Sequence, residues 1–355
     1  MTDHTSIRTP QPHGAPFAGA AAGAGTPPAL LCMEAVGVTA GPRHDRKVIV
    51  RDVDLTVRAG ESVGLVGESG SGKSMLVKAA MRLLPPRAEA SGDISFEGRP
   101  VLGFSRRELT AYRSRDVSLI HQDPRAATNP LRTAGDFLVE QVVATGQLTR
   151  REAADKARAL MAEVGVTEPD HRLTQYPHEL SGGLLQRMMI VAALLSSPKL
   201  LFADEPTTAL DVTVQSEVMA IIKERTAEHD VGLLFISHDL DLAAAVTDSL
   251  AVMYAGTVVE RGATDRVHSR PRHPYTAALL ACRPSPTAVA RLTPIPGRPV
   301  AAFEAGPGCA FADRCRFADD RCRIERPHLR PLEDRMVACH RAEEIAADLE
   351  PAAAS

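Results

Sequence analysis

The chain carries a glycine-rich octapeptide at Gly67–Ser74, GESGSGKS, which fits the pattern G-x-x-x-x-G-K-[ST]. The apolar run Ser62–Val66 leads into it, and Met75–Leu84 favours a helix. A strand, a glycine-rich turn and a helix in that order bring backbone N–H groups and the positive end of a helix dipole to one point, where a phosphate binds well. The segment therefore predicts an α/β fold with a site for a nucleoside triphosphate.

Six residues of this octapeptide are candidates for contact with the nucleotide. The glycines allow the backbone to close on the β-phosphate, Lys73 is placed to reach the β- and γ-phosphates, and the Ser74 hydroxyl is placed to ligate Mg²⁺. A glycine-rich turn without a ligand is the alternative, and the flanking strand and helix argue against it. The predicted contact residues are Gly67, Ser69, Gly70, Gly72, Lys73 and Ser74.

A second apolar run, Leu200–Ala203, ends in two adjacent carboxylates, Asp204 and Glu205. Runs of this kind are typical of buried parallel strands, which carry functional groups at their carboxyl ends. We expect Asp204 to hold Mg²⁺ through water, and Glu205 to orient and polarise the attacking water. Adjacent acids alone would indicate a solvated loop, but the apolar run and the upstream phosphate loop favour catalysis.

Between these two segments, Leu180–Gly183 has the sequence LSGG and precedes an apolar helix, Met188–Leu195. At this place in the chain LSGG resembles the signature of the ABC-type ATPases. In that family the signature of one subunit covers the γ-phosphate held by the other, so the resemblance implies nucleotide contacts from Ser181, Gly182 and Gly183. The physical basis is again an anion at the N-terminus of a helix.

Three further residues take roles from the same resemblance. Gln122 resembles the Q-loop glutamine, which implies a place beside Mg²⁺ and the attacking water. Asp211 resembles the D-loop aspartate of the nucleotide site, and His238 resembles the switch histidine that contacts the γ-phosphate. The resemblance thus implies an enzyme that hydrolyses ATP with Mg²⁺. Because an ABC site forms only between two such domains, it also implies a dimer of ATPase subunits.

Four segments are similar to the ATP-binding subunits of the oligopeptide/dipeptide and nickel permeases: Gly67–Ser74, Tyr176–Gly183, Glu205–Gln215 and His273–Thr276. This likeness implies an ATPase that energises an importer for short peptides or a related cargo. Its implied partners are two membrane permease subunits and, indirectly, an extracytoplasmic binding protein. In this group two different ATPase subunits usually pair, so the second subunit is expected to be a paralogue. The expected location is the cytoplasmic face of the membrane.

The predicted layout is an ABC-type P-loop NTPase with a RecA-like core, a mixed sheet and an inserted helical subdomain, followed by a small cysteine-rich extension. Residues 1–28, rich in Gly, Ala, Pro and Thr, lack the basic start and apolar stretch of a signal peptide and are expected to be a disordered tail. The remaining boundaries place the ATPase domain at 29–268, its helical subdomain at about 123–185, the extension at 269–342 and a tail at 343–355.

Two other functions compete with transport. A soluble ABC ATPase acting on ribosomes or DNA is the main alternative, but such proteins carry two ATPase domains or a long coiled-coil insertion. This chain shows no internal repeat, and its formal net charge of −3 gives no strong attraction to nucleic acid. No apolar run approaches the ~18 residues needed to span a bilayer. A metal- or redox-sensing regulator is the third interpretation, and it depends only on the cysteines.

Four of the six cysteines fall in one late stretch, Cys309, Cys315, Cys322 and Cys339, with gaps of five, six and sixteen residues. Clustered cysteines in a reducing compartment suggest a metal before a disulfide. The gaps exceed the two to four residues common in zinc knuckles, so spacing alone predicts a four-thiolate site without identifying its metal.

The sequence around these cysteines adds a resemblance. Ile295–Gly297, Gly308–Phe311 and Cys339–His340 resemble the C-terminal extension of the peptide-permease ATPases, which in some members carries a [4Fe–4S] cluster. Four thiolates suit that cluster. Zinc and a metal-free cysteine-rich flap are the alternatives. Because the site follows the ATPase domain, we expect it to support folding of the extension and not the ATP chemistry.

One position departs from the family pattern. Where the family has an aromatic residue that stacks on adenine, Val38–Ala40 offers only the methyl group of Ala40. Base stacking on an aromatic side chain contributes roughly 1–3 kcal/mol per base. Arg43 and His44 are the substitutes that the sequence leaves open, through a stacking or cation–π contact.

Overall fold

The computed structural model describes residues 27–207, 212–228, 230–282 and 294–349. Nearly all of the expected N-terminal tail at 1–28 lies outside these ranges, as do the last residues, 350–355. The D-loop candidate Asp211 also lies outside them.

Twelve strands in the described part of the chain form two sheets. They are β1 (Ala29–Ala40), β2 (Lys47–Arg58), β3 (Ser62–Val66), β4 (Ala88–Phe96), β5 (Arg99–Pro100), β6 (Val117–Ile120), β7 (Leu200–Asp204), β8 (Gly232–Ser237), β9 (Ser249–Tyr254), β10 (Thr257–Ala263), β11 (Arg330–Leu332) and β12 (Arg335–Val337).

The larger sheet has eight strands in the order β11-β12-β10-β9-β3-β8-β7-β6. Its centre, from β9 to β6, is parallel, and the strands beyond β9 are antiparallel. Strands β3, β7 and β8 are almost wholly buried, as their continuous apolar sequences predict for strands covered on both faces. The mixed sheet predicted from the sequence is confirmed, and all the strands that lead to predicted site residues lie within it.

The smaller sheet is antiparallel, in the order β2-β1-β4-β5, and was not predicted. Its long strands β1 and β2 pair along twelve residues each, with register shifts that bend the ladder. An irregular register locally increases twist, and the buried side chains of this sheet pack with α1 against the core strands. One face of the core sheet is therefore covered by both helix α1 and this second sheet.

The described helices are α1 (Lys73–Ala80), α2 (Arg106–Ala111), α3 (Pro124–Ala127), α4 (Ala134–Ala144), α5 (Arg150–Glu163), α6 (Pro169–Thr174), α7 (Gly182–Leu195), α8 (Val212–Glu228), α9 (Leu240–Val246), α10 (Thr264–Ser269), α11 (Pro274–Ala281), α12 (Asp320–Ile324) and α13 (Ala346–Leu349). Short 3₁₀ turns add Val101–Gly103, Pro177–Glu179 and Ala312–Arg314, and Tyr112–Asp116 forms one π-helical turn.

Helix α1 starts two residues earlier than its predicted range of 75–84 and ends four residues sooner. It begins at Lys73 because Gly72 turns the chain with a φ of 103°. It ends because Arg82 has a left-handed φ of 51°. L-residues adopt this conformation one at a time, and it cannot continue a right-handed helix.

Two large apolar clusters hold the domain together on opposite faces of the eight-stranded sheet. One contains α1 and the buried side chains of β1, β2 and β4, with Phe202 and Ile236 from the core strands. The other contains helices α4 to α9, packed on Leu201, Phe235 and Val252. Side chains of β7 and β8 alternate between the two clusters, as the period of a strand requires.

The predicted helical subdomain at 123–185 contains α3 to α6 and the first turn of α7. Helix α5 starts with a capping box in which Thr149 and Glu152 exchange hydrogen bonds, and its buried face is Ala153, Ala157, Leu160 and Met161. Helix α7 continues past 185 to Leu195 and returns the chain to β7. The signature segment and the core strand are therefore joined by one rigid helix.

The extension is joined to the edge of the main sheet, because β12 pairs antiparallel with β10 at Glu260 and Val337. A third apolar cluster includes Val337, Cys339, Ile345 and Leu349. The expected boundary at 342 thus falls inside a packed segment, which continues at least to Leu349. Among the residues of the described ranges, no helix has the length and hydrophobicity to span a bilayer.

Candidate active site

Residues Gly67–Ser74 form a tight turn between β3 and α1. A Cβ atom on Gly67 would lie 2.1 Å from the carbonyl oxygen of Met253, so only glycine fits. Gly72 has a positive φ, and a Cβ atom on it would lie 3.0 Å from the carbonyl oxygen of Ile49. Both facts favour glycine there. Ser69 and Gly70 form the exposed tip of the loop. The glycines therefore bring bare backbone to the surface in front of a helix N-terminus, as a phosphate site requires.

The Lys73 side chain is buried and folds across this loop. Its Nζ donates hydrogen bonds to the carbonyl oxygens of Gly67 at 2.6 Å and Glu68 at 3.0 Å. Burial lowers the pKa of Lys73, and the carboxylates of Glu205, Asp204 and Glu68 oppose that shift. An ammonium group bonded to two neutral carbonyl oxygens would bind a charged phosphate oxygen more strongly than either of them. This suits the role predicted for Lys73.

Ser74, in the first turn of α1, contacts Asp204, the last residue of β7. The Ser74 hydroxyl donates a hydrogen bond of 3.0 Å to Oδ1 of Asp204. Burial raises the pKa of Asp204, and Glu205 raises it further, while Ser74 and two lysines lower it. A hydroxyl and a carboxylate oxygen side by side are ligands that Mg²⁺ accepts. The structure thus brings together two of the three predicted Mg²⁺ ligands, Ser74 and Asp204, with chemistry that fits the ion.

Glu205 lies at the centre of the predicted catalytic residues. The amide of Gln122 donates a hydrogen bond of 2.9 Å to its Oε2, and Nδ1 of His238 lies 3.4 Å from the same oxygen. Glu205 has a left-handed φ of 47°. Backbone strain of this kind is found at functional sites, where the surroundings enforce it. His238 is well exposed, and Glu205 is largely buried.

The signature segment stands apart from these residues in the chain and makes its described contacts locally. Ser181 caps α7, because its Oγ accepts a hydrogen bond from the backbone N–H of Leu184 at 3.2 Å. The side of Gly182 where a Cβ would project is open, with no heavy atom within 4 Å. Ser181, Gly182 and Gly183 therefore present a capped helix N-terminus at the surface. Asp211 cannot be placed, since it lies outside the described residues.

Two residues that the sequence did not identify as site residues contact the phosphate loop. The Tyr275 hydroxyl accepts a hydrogen bond of 2.8 Å from the backbone N–H of Glu68. The guanidinium of Arg314 holds the Glu68 carboxylate at two points, 2.6 and 3.0 Å. Tyr275 belongs to the His-Pro-Tyr-Thr segment, whose likeness to the permease ATPases was the only available signal. Arg314 lies one residue before Cys315, so the cysteine-rich segment reaches the phosphate loop through this side chain.

Cys309, Cys315, Cys322 and Cys339 line one small cavity, together with Phe311 and Phe317. Burial raises the pKa of Cys309 to about 11, and that of Cys339 to about 12. Neighbouring thiols contribute to both shifts, since each disfavours a charge on the others. In the described ranges, no group of three or more His, Cys, Asp or Glu side chains is arranged to hold a metal ion.

Two family models match the chain. The ABC transporter model matches residues 50–208, and the model of the oligopeptide/dipeptide transporter C-terminal region matches residues 259–322. The first contains the phosphate loop, Asp204 and Glu205, and the second contains Tyr275, Arg314 and the first three clustered cysteines.

Relatives with established names are similar over most of their length. The dipeptide transport ATP-binding protein DppD of Bacillus subtilis is 42% identical over 269 residues, covering 75% of this chain and 80% of the relative. The oligopeptide transport ATP-binding protein OppD of Salmonella typhimurium is 40% identical over 291 residues, covering 82% and 87%.

Solved structures agree in fold. A dimer of the ATP-binding cassette MJ0796 with ADP and Pi gives a TM-score of 0.60 at 23% identity, over 66% of this chain and 98% of the other. The protein cbiO1 from Clostridium perfringens, part of the transporter complex cbiONQ, gives 0.57 at 25% identity, over 67% and 90%. The chain belongs to the ABC transporter family, among the ATP-binding subunits of the oligopeptide/dipeptide type.

Proposed function

We propose that this protein hydrolyses ATP to energise an importer of short peptides or a related cargo. The observation that carries the proposal is the convergence of Gln122 and His238 on one oxygen of Glu205, beside the phosphate loop. That arrangement supports activation of water next to a bound γ-phosphate. The likeness to DppD and OppD, whose names specify peptide transport, supports the cargo class.

The site supports a division of roles among its residues. Gly67, Ser69, Gly70 and Gly72 would bind the phosphates through the backbone, and Lys73 would neutralise them. Ser74, Asp204 and Gln122 would hold Mg²⁺, which when bound offsets charge that develops on the transferred phosphoryl group. Glu205 would orient the attacking water and accept its proton, and His238 would contact the γ-phosphate.

A second ATPase subunit would complete the site. Ser181, Gly182 and Gly183 would bind the γ-phosphate held by that subunit, and Asp211 would face the same interface. The open side of Gly182 and the helix N-terminus behind it support this role. We propose that the second subunit is a paralogue, that the pair docks on two permease subunits at the cytoplasmic face of the membrane, and that an extracytoplasmic binding protein delivers the cargo. The ATPase domain would span 29–268, with the extension from 269 onward.

We propose further that the four clustered thiols hold a [4Fe–4S] cluster, with zinc as the alternative. The cavity that the four cysteines share supports this proposal. The described side chains are not arranged around a metal ion, so binding would require the thiols to draw closer together. A bound cluster would replace four buried or half-buried thiols with thiolates on iron and would tie together segments of the extension. Its contribution is structural in this proposal, since no cysteine is among the residues assigned to ATP.

Transport is tested by reconstitution. The protein is co-expressed with candidate permease subunits and a candidate second ATPase from its own genome, and the complex is purified and placed in vesicles with the ATP site outward. ATP-dependent movement of a labelled di- or oligopeptide, lost in the Glu205→Gln complex, is the expected result. A complex that hydrolyses ATP but moves none of a peptide library refutes the cargo class. Failure to purify with any membrane subunit refutes transport.

The metal is tested separately, in protein purified without oxygen. We expect a brown colour with iron and acid-labile sulfide at about four each per chain. The colour should be absent from Cys315→Ser and present in Cys282→Ser, a cysteine outside the cluster. Stoichiometric zinc refutes the cluster while leaving the ATPase assignment intact.

A further inference from the structure

Glu68 is an acidic residue inside a loop that binds an anion. It follows Gly67 directly, and its own carbonyl oxygen accepts a hydrogen bond of 3.0 Å from Lys73. An unpaired carboxylate there would repel the triphosphate, because both charges are negative and the site is partly shielded from water. The loop therefore needs a cation that neutralises Glu68 without occupying the phosphate site.

Arg314 of the extension is that cation. Its two terminal nitrogens bind the two oxygens of Glu68 at 2.6 and 3.0 Å, and the side chain is only 4% exposed. Its Nε donates a hydrogen bond of 2.8 Å to the carbonyl oxygen of Pro296. A fork-shaped contact of this kind fixes direction as well as charge. The Glu68 carboxylate is thus neutralised and fixed in one orientation.

An aromatic cluster fixes Arg314 and the loop together. The rings of Tyr254, Tyr275 and Phe311 lie 4.6 to 5.4 Å apart. Arg314 packs 5.8 Å from the rings of Tyr254 and Phe311, and the Tyr275 hydroxyl binds the backbone N–H of Glu68. Both ends of Glu68, backbone and carboxylate, are therefore held by residues outside the core strands.

We propose that Arg314 is a positioning residue for ATP binding, which neutralises Glu68 and holds the phosphate loop in its binding shape. The cysteine-rich segment that carries Arg314 thereby controls the affinity of the nucleotide site. The inference depends on the proposed assignment of Gly67–Ser74 to the triphosphate, but it does not depend on which metal the thiols bind. Arg314 acts through Glu68 and is not assigned a contact with ATP.

The test is the ATP affinity of full-length Arg314→Met, measured by calorimetry with MgATP, and the KM and kcat of hydrolysis. We expect Kd and KM to rise about tenfold, the effect of one uncompensated charge near the site, with kcat within about twofold of wild type. The double variant Glu68→Gln, Arg314→Met removes that charge and should recover most of the affinity. Because an unpaired Glu68 also destabilises the folded chain, urea midpoints are measured for both variants, and the affinities are compared under conditions in which both are fully folded.

Arg321→Met is the matched control. Arg321 also precedes a clustered cysteine and also binds a carboxylate at two points, Glu325 at 2.9 Å each, but the pair is exposed and on the surface of the extension. The Arg321→Met variant should bind ATP with the affinity of wild type. If Arg314→Met binds ATP as Arg321→Met does, or if Glu68→Gln fails to rescue it, the inference is overturned.

Two more variants separate the possible failures. If Arg314→Met does not fold, Arg314→Lys takes its place, because it keeps the charge and loses the two-point contact. A KM for ATP about threefold above wild type supports the inference. An unchanged KM overturns it. Lys73→Ala should lose ATP binding in the same assay. Normal binding by Lys73→Ala would overturn the phosphate-site assignment itself, whereas loss in Lys73→Ala with none in Arg314→Met would overturn only the role of Arg314.

Discussion

The amide of Gln122 donates a hydrogen bond of 2.9 Å to the carboxylate of Glu205, a residue 83 positions later in the chain. Gln122 follows β6 and Glu205 follows β7, and these strands are parallel neighbours. Their carboxyl ends therefore meet at one edge of the sheet, where ligands of such folds bind. The contact connects the start of the helical subdomain to the carboxylate proposed to be catalytic, so a shift of that subdomain would change the orientation of Glu205.

Replacement of Glu205 by Gln should nearly abolish hydrolysis and preserve ATP binding. The glutamine amide keeps the shape of the glutamate side chain but cannot accept a proton from water. The loss of a general base typically lowers the rate 10²- to 10⁴-fold. Phosphate turnover and equilibrium binding of MgATP are the two measurements. Asp239→Asn, which alters the neighbouring α9 cap, serves as the control. Turnover in Glu205→Gln within tenfold of wild type would contradict the assignment.

Removal of Arg335 should destabilise the joint between the extension and the main sheet. Arg335 is 2% exposed, and its Nη1 contacts the fully buried Glu260 at 3.4 Å and the carbonyl oxygen of Arg270 at 2.7 Å. Arg335→Met leaves Glu260 buried with its main cation gone, which costs about 3–5 kcal/mol of unfolding free energy. Arg321→Met breaks an exposed pair and should cost no more than about 1 kcal/mol.

Urea denaturation followed by circular dichroism measures both Arg335→Met and the control. Equal midpoints would show that the buried pair does not stabilise the joint.

His273 should make the extension sensitive to acid. Burial lowers the pKa of His273 to about 3, and its Nδ1 accepts a hydrogen bond of 3.0 Å from the backbone N–H of Tyr275. The unfolded chain binds a proton near pH 6.5 and the folded chain does not, so stability falls as pH drops from about 6.5 toward 3, by up to about 1.4 kcal/mol per unit.

The comparison is with His273→Asn, which keeps an acceptor at this helix cap and has no titrating group. Urea midpoints at pH 7, 6 and 5 should fall less steeply in the variant than in wild type. Parallel curves would contradict the assignment of this pH dependence to His273.

Much of the candidate site at the carboxyl ends of the parallel strands could be predicted, because its residues follow local sequence patterns. The apolar runs at Ser62–Val66 and Leu200–Ala203 are the strands expected, and each ends at the residues assigned to it. A strand that is buried on both faces must be apolar throughout, so it can be recognised without knowledge of its neighbours.

The contacts of Glu68 could not be predicted in this way. Tyr275 lies 207 positions from Glu68, and Arg314 lies 246 positions from it. Contacts at that separation depend on how the extension packs on the domain, and a sequence pattern reports only local structure. The antiparallel sheet of β1, β2, β4 and β5 was missed for a related reason, since alternating strands do not reveal which sheet they join.

Ala40→Tyr should tighten ATP binding about fivefold or more, because an aromatic ring there can stack on the adenine. Ala40 ends β1 opposite Lys47, whose Nζ lies 4.8 Å from the centre of the Phe303 ring, and that ring is 45% exposed. Calorimetry with MgATP measures the effect, and Ala40→Leu controls for bulk without a ring face. An unchanged affinity in Ala40→Tyr would contradict the prediction. Phe303→Ala would then identify the base's partner, since loss of affinity in that variant means that the extension already supplies the ring.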